Sequence, residues 1–198
     1  VSARAAGISG FKAKSMGTLE LIAPGGSAAD RLLLLGLGKP EALTANDWLR
    51  AGGAAAAQFK SSSNVVVFLD APGLEVSARQ AADFALGILL RGYTFDAYKT
   101  KKKDEDEKLP KKVTVTIVTG SHGEAAKLLD DVDAVAGGVL LARDLVNLPP
   151  NVLGPVEFAE MARQLEDLGV EVEILTEKDM SKLKMNAILG VAQGSARP

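Results

Sequence analysis

Hydrophobic positions along the chain follow two spacings, and each spacing predicts one kind of element. Short apolar runs bounded by Gly, Pro or Asn predict strands over 19–23, 31–38 and 65–69, the second of them buried on both faces. A fourth strand is expected over 113–119, where the first apolar residues fall on odd positions and leave the other face more exposed. Between these runs, apolar residues recur every three or four positions, which is the repeat of a helix with one buried face.

Three helices are predicted in the first 150 residues. Two begin at capping boxes, in which a hydroxyl and a side chain three residues later satisfy the first backbone N–H groups: Thr44 with Asp47, and Ser77 with Gln80. The third is expected over 124–148, loosened at Gly137–Gly138 because glycine lowers helix propensity. Residues 1–18 show little periodicity and are expected to form a loop with one short helical turn.

Two consecutive prolines, Pro149 and Pro150, end the third helix and mark a seam in the chain. After them, Pro155 opens a further helix, and another is expected over 177–184. Strands are predicted over 170–175 and 187–192. The organisation predicted is therefore an α/β domain over 1–122, a linker helix and seam over 123–150, and the incomplete beginning of a second domain over 151–198.

Composition excludes several classes of protein. With 198 residues, 47% of them hydrophobic and 24% charged, the chain has enough apolar material for a core. A net charge of −2 argues against a globally basic nucleic-acid-binding protein, and the absence of cysteine excludes disulfides and thiolate metal sites. The sequence has no apolar run long enough for a membrane span, and it lacks a signal-peptide core and an initiator Met. We therefore expect no membrane partner and a start within a longer product.

Two patterns resemble chemical motifs only superficially. The run Gly36-Leu37-Gly38-Lys39 resembles a phosphate-binding loop, but its spacing is wrong and Pro40 follows the lysine, so a buried strand with a tight exit is favoured. The only histidine, His122, lies two residues before Glu124. A polar loop role is favoured over catalysis, because no nucleophile and orienting partner can be placed beside it.

Charged clusters give three further candidates. The segment Lys99–Lys112 carries seven lysines against four acidic residues and could contact phosphates, although a solvated loop is favoured because no Arg or aromatic residue is interleaved. Three carboxylates crowd one helix turn, but adjacent side chains on a helix diverge, so a solvated face is favoured over a cation site. They are Asp130, Asp131 and Asp133. For Arg143, Asp144 and Asn147 at the seam, a structural role is favoured over a catalytic one.

The seam carries the most specific pattern in the chain. Its residues Ala142-Arg143-Asp144-Leu145-Val146-Asn147-Leu148-Pro149-Pro150-Asn151, followed by Gly154-Pro155, resemble the leucyl aminopeptidase (cytosol aminopeptidase) family. Three other stretches are similar to segments of that family: Leu35-Gly36-Leu37-Gly38-Lys39, Gly92-Tyr93-Thr94-Phe95-Asp96-Ala97-Tyr98-Lys99 and Val191-Ala192-Gln193-Gly194-Ser195. The resemblance covers nearly the whole chain.

The resemblance implies a macro-domain-like amino-terminal domain with a mixed, mostly parallel sheet flanked by helices, then a long linker helix and the first α/β elements of a catalytic domain. The family's whole enzymes are cytosolic homohexamers that release N-terminal residues, often Leu, from peptides with two divalent ions, zinc or manganese. The family's ligand segments lie beyond this chain, so no catalytic, metal-binding or cofactor-binding residue can be assigned here. This stretch alone is expected to be inactive and to serve assembly and active-site access.

Two other functions remain open from the sequence. The chain could be a non-catalytic α/β binding module that contacts DNA through Lys99–Lys112. It could also be a nucleotide-binding domain, because Gly25–Gly26 and Gly36–Gly38 follow predicted strands. The metal, the residue preference and any DNA role are not determined by these 198 residues.

Overall fold

The computed structural model describes residues 2–59, 61–70, 73–100 and 112–196. It divides into an amino-terminal unit, which extends to Leu140, and a carboxyl-terminal unit, which begins at Leu141. The regular elements, in chain order, are α1 (Ser2–Ser9), β1 (Thr18–Ile22), β2 (Arg31–Leu35), α2 (Ala45–Ala56), β3 (Asn64–Phe68), α3 (Ala78–Arg91), β4 (Thr114–Val118), α4 (His122–Lys127), α5 (Leu129–Asn147), α6 (Pro155–Arg163), α7 (Glu177–Lys182) and α8 (Asn186–Ala192). Short 3₁₀ turns occupy Pro40–Ala42 and Gln164–Leu168.

The strands of the amino-terminal unit form two small sheets, one antiparallel and one parallel. β1 and β2 pair antiparallel, with Thr18 opposite Leu35 and Ile22 opposite Arg31. β3 and β4 pair parallel, with Asn64 opposite Thr114. The predicted mixed α/β class is confirmed, and the described strands make two two-stranded sheets. Every residue of β2 is half-buried, so the prediction that this strand is buried on both faces is wrong.

The predicted capping boxes are present. At the start of α2, the Asp47 backbone N–H donates to Thr44 Oγ1 at 3.3 Å, and the Thr44 backbone N–H donates to Asp47 Oδ2 at 2.9 Å. Ser77 and Gln80 make the same exchange at the start of α3, at 3.3 and 2.9 Å. These exchanges satisfy N–H groups that the first turn of a helix leaves unpaired, which is why both helices begin where the sequence predicts.

The core of the amino-terminal unit lies where α2 and α3 pack together. Trp48 of α2 and Phe84 of α3 are each 2% exposed. The two helices approach closely at two glycines. A Cβ placed on Gly52 would lie 1.9 Å from the Phe84 carbonyl oxygen, and one on Gly87 would lie 1.9 Å from the Leu49 carbonyl oxygen. No side chain fits at either position, so glycine is required for this helix contact.

Arg31 joins the hairpin to the end of α2. Its Nε donates to Glu20 Oε1 on the paired strand at 2.6 Å. Its Nη atoms donate to the carbonyl oxygens of Gln58 and Phe59 at 2.9 and 3.1 Å, and to Ser62 Oγ at 3.0 Å. A guanidinium can bond several acceptors at once, and a cation is favourable beside the carbonyl end of a helix. This residue therefore fixes the hairpin against the turn that follows α2.

Two expectations for the amino-terminal unit are corrected. The stretch expected as a loop over 1–18 begins with an eight-residue helix, α1, whose small residues lack strong periodicity. The helix expected over 124–148 is two helices that meet at Leu128, and α5 runs unbroken through Gly137–Gly138. Leu128 is the C-cap residue of α4 and packs against a cluster that includes Val132 and Ala136, so the break lies nine residues before Gly137.

The carboxyl-terminal unit confirms two predictions and overturns two. Pro155 opens α6, and α7 lies within the predicted 177–184. The strand predicted over 170–175 is absent, because an alternating pattern makes a strand only with a partner and the described residues of this unit provide none. The strand predicted over 187–192 is helix α8, since a short apolar run does not distinguish helix from strand.

Candidate functional site

A polar cluster lies at the carboxyl edge of the parallel sheet, where the loops after β3 and β4 meet. The Gly120 backbone N–H donates to Asp70 Oδ2 at 2.5 Å, and Thr119 Oγ1 donates to Asp70 Oδ1 at 3.4 Å. Ser121 Oγ lies 3.3 Å from Thr119 Oγ1 and donates to the Val76 carbonyl oxygen at 2.9 Å. The cluster joins the loop after β3 to the loop after β4, 45 to 50 residues further along the chain.

The chemistry of this cluster is structural. Each hydroxyl is engaged, and the carboxylate of Asp70 receives a backbone N–H, so the groups hold the two loops together. This arrangement was not predicted from the sequence. Its signal was a carboxylate placed directly after one β-branched strand and a Thr-Gly-Ser run after the next, because the carboxyl ends of parallel strands meet at one edge.

His122 lies beside the cluster as the first residue of α4 and is exposed. Its backbone N–H donates to the Thr119 carbonyl oxygen at 3.2 Å. Within the described part of the chain, no hydrogen bond joins its ring to Glu124 or to Ser121. A catalytic triad needs a base that is bonded to both a nucleophile and an orienting group, so the geometry favours the loop role predicted for His122.

An open groove of about 1,050 Å³ runs between α3, β4 and the α4–α5 turn. Its walls are mainly aliphatic, including Ile88, Val115, Ile117 and Val132, and His122 lies at its border. Ligand sites combine such apolar walls with a few converging polar groups. The described residues provide the walls without a donor set that would define a reaction.

The glycine-rich exit of β2 has its backbone donors occupied. The Gly36 N–H donates to the Gly17 carbonyl oxygen at 2.7 Å, and the Gly38 N–H donates to the Ala13 carbonyl oxygen at 3.0 Å. A Cβ on Gly36 would lie 2.3 Å from the Lys14 carbonyl oxygen. A phosphate loop presents free N–H groups to its ligand, so this exit is the tight strand end that the sequence favours, and it does not support the nucleotide hypothesis.

The remaining charged candidates do not converge. The three carboxylates at the start of α5 are exposed, and the described residues include no group of three or more His, Asp or Glu side chains able to hold a metal ion. Arg143, Asp144 and Asn147 are all engaged in polar interactions, as a structural role requires. Of the basic segment Lys99–Lys112, residues 101–111 lie outside the described residues.

No described helix is long and apolar enough to cross a membrane.

Two family models match the chain in succession. The amino-terminal-domain model of the cytosol aminopeptidase family matches residues 2–102, and that family's catalytic-domain model matches residues 140–198. The chain belongs to the cytosol aminopeptidase family. The second match begins at the last residue of the amino-terminal unit. The proposed division at 122 and 150 stays a prediction.

Curated relatives agree with this membership in the cytosol aminopeptidase family. A probable cytosol aminopeptidase of Agrobacterium fabrum is 71% identical over 195 residues, which are 98% of this chain and 39% of the relative. A protein of the same description from Rhizobium etli is 61% identical over 198 residues, with 40% of its length covered. The chain therefore spans about 40% of the length of the curated relatives it matches.

Solved structures show the same fold. A mutant of tomato leucine aminopeptidase superposes with a TM-score of 0.82 at 30% identity, covering all of this chain and 39% of that protein. The bottromycin maturation enzyme BotP superposes with a TM-score of 0.77 at 26% identity, covering 98% of this chain and 40% of BotP. A further BotP structure is a complex with Mn. The family resemblance and the α/β class are thereby confirmed for this member of the cytosol aminopeptidase family.

Proposed function

We propose that this chain is the amino-terminal part of a metalloaminopeptidase, which releases N-terminal amino acids from peptides. The observation that carries this proposal is the order of the two matches, with the family's amino-terminal domain over 2–102 and the start of its catalytic domain over 140–198. In this proposal the amino-terminal unit serves assembly and active-site access. Its core provides a rigid body for that role, and its polar cluster at Asp70 is structural.

The proposed reaction uses two divalent ions, zinc or manganese, which would activate water and polarise the scissile carbonyl. The described residues do not fit such a centre, because no group of three suitable side chains converges and the carboxylates at 130, 131 and 133 diverge on an exposed face. We therefore place the ligands in the part of the full-length enzyme outside this chain. The Mn complex of BotP supports the choice of a divalent metal.

The proposal extends to substrate, assembly and location. Peptides with an N-terminal Leu or a similar residue would be the substrates, and the full-length enzyme would assemble as a homohexamer in the cytoplasm. The description of the tomato relative as a leucine aminopeptidase supports the substrate class, and the family's description as cytosol aminopeptidases supports the location. The hexamer rests on the family resemblance of the seam residues alone.

One experiment compares the full-length protein with the 198-residue chain. Both are purified, loaded with Mn²⁺ and assayed with Leu-p-nitroanilide. We expect turnover by the full-length protein and none by the chain, because the reacting groups are proposed to lie outside it. Turnover by the chain would place a catalytic centre here and contradict the proposal, as would an inactive, folded and metal-loaded full-length protein. The DNA-binding alternative is not favoured, because the family matches account for both ends of the chain.

A further inference from the structure

Two pairs of helical glycines in this protein differ in what surrounds them. Gly52 and Gly87 are required by close packing, because a Cβ on either would collide with a backbone oxygen at 1.9 Å. Gly137 and Gly138, in the middle of α5, are exposed, and a Cβ on either would meet nothing within 4 Å. Neither has the positive φ that favours glycine. Packing and backbone conformation within the described residues therefore leave this pair unexplained.

The position of the pair supplies the reason. The first half of α5 is held against the amino-terminal unit by Val132 and Ala136, which are 7% and 4% exposed and pack with Ala82 and Leu86 of α3. Ala136 is the last buried residue in the described chain. The boundary between the two units follows at 140/141. The glycine pair thus lies between the clamped half of the helix and the unit boundary.

We propose that Gly137–Gly138 is a hinge at which α5 bends, so that the orientation of the carboxyl-terminal unit can adjust. Glycine lowers the helix-forming tendency at each position relative to alanine, which corresponds to about a fivefold larger equilibrium constant for local opening per residue. For two adjacent glycines the equilibrium constant for local opening is about 25-fold larger, and no side chain among the described residues packs over them. Helix α5 is then weakest between its clamped first half and the unit boundary at 140/141.

The first test is hydrogen exchange in the full-length protein, with residue resolution across α5. In the wild type, amides of residues 137–142 should exchange faster than those of 132–136. The double variant Gly137→Ala/Gly138→Ala should slow exchange of residues 138–142 by about 25-fold. Gly190→Ala is the matched control, since Gly190 is another exposed helical glycine with no atom within 4 Å of a Cβ. It should leave exchange in α5 unchanged.

The second test measures the motion itself. Spin labels on Lys127→Cys and Glu160→Cys, both exposed sites in a cysteine-free chain, report the distance between the two units, with cysteines outside this chain replaced and labelled subunits diluted. The wild type should give a broad distance distribution that narrows in the double alanine variant. Equal protection of 132–136 and 137–142, or an unchanged distribution width, overturns the hinge. Loss of folding or assembly in the alanine variant also overturns it, because the glycines would then serve close packing.

Discussion

The two units of this chain differ in how far they bury similar hydrophobic residues. In the amino-terminal unit, Trp48 and Phe84 are 2% exposed and form the centre of a cluster of buried residues. Among the described residues of the carboxyl-terminal unit, 141–196, none is buried. There Phe158 is 53% exposed, Ile188 54% and Val191 82%. The same residue types are packed in one unit and face solvent in the other.

The difference teaches that secondary structure and core formation are separable in this protein. The carboxyl-terminal unit still forms local caps: Thr176 and Asp179 form a capping box at the start of α7, and Gly169 ends the preceding turn at φ 83°. Those are local interactions. A core needs elements that cover one another, and a unit of this size is too small to bury much apolar surface by itself. We infer that the rest of the catalytic domain covers its apolar faces.

The largest difference in stability should come from substituting one phenylalanine by alanine in each unit. Phe84→Ala removes a buried aromatic ring and should destabilise the amino-terminal unit by about 4 kcal/mol. Phe158→Ala removes a half-exposed ring and should change stability of this chain by less than about 0.5 kcal/mol. Denaturation followed by far-UV circular dichroism measures both. The single tryptophan, Trp48, adds a fluorescence signal specific to the amino-terminal unit.

The full-length protein sharpens this comparison. If the remaining catalytic domain covers Phe158, Phe158→Ala in the full-length protein should lower the free energy of unfolding by about 2 kcal/mol or more. The effect of Phe84→Ala should be the same in both proteins. An equally small effect of Phe158→Ala in both proteins would contradict the inference that this face is covered.

The next largest difference in stability should be between alanine substitutions at two neighbouring glycines of α2, one closely packed and one not. Gly52→Ala should destabilise the amino-terminal unit by about 3 kcal/mol, because its Cβ would force α2 and α3 apart. Its neighbour Gly53 is the matched control, since the nearest atom to a Cβ there is the Gly87 carbonyl oxygen at 3.6 Å, an ordinary contact. Gly53→Ala should be neutral or stabilise by up to about 1 kcal/mol. Equal thermal shifts of the two variants would mean that the close helix contact is not made.

Local signals in the sequence were sufficient for most elements of the amino-terminal unit. Capping boxes located the starts of α2 and α3, because the interacting groups are three residues apart. The β-branched run 65–67 identified β3. The requirement for glycine at Gly52 was beyond sequence reasoning, since it depends on a helix more than thirty residues away.

The failures in the carboxyl-terminal unit have a physical cause. The stretches 170–175 and 187–192 carry strand-like patterns, yet the state of such a stretch depends on its tertiary partner. Without a described strand to pair, 170–175 forms no ladder, and 187–192 becomes helix, as alanine and leucine favour. The seam motif identified the family, because its residues are contiguous in sequence. The Asp70–Gly120 contact at the sheet edge was missed because it joins residues 50 positions apart.

The smallest effect concerns the pKa of one capping aspartate in each unit, which should be lowered in both. Hydrogen bonding from Thr44 lowers the pKa of Asp47 below its usual 3.8, and hydrogen bonding from Thr176, then Lys182, lowers that of Asp179. Because the folded pKa is below the unfolded one, each contribution to stability is complete above about pH 4 and is lost as pH falls through the lowered pKa. Carboxyl ¹³C titration should find both values below 3.8. Thr44→Val and Thr176→Val should each raise the pKa of the neighbouring aspartate only. If Asp179 alone titrates at its usual pKa, α7 lacks its capping box, and even local structure in the carboxyl-terminal unit requires the rest of the catalytic domain.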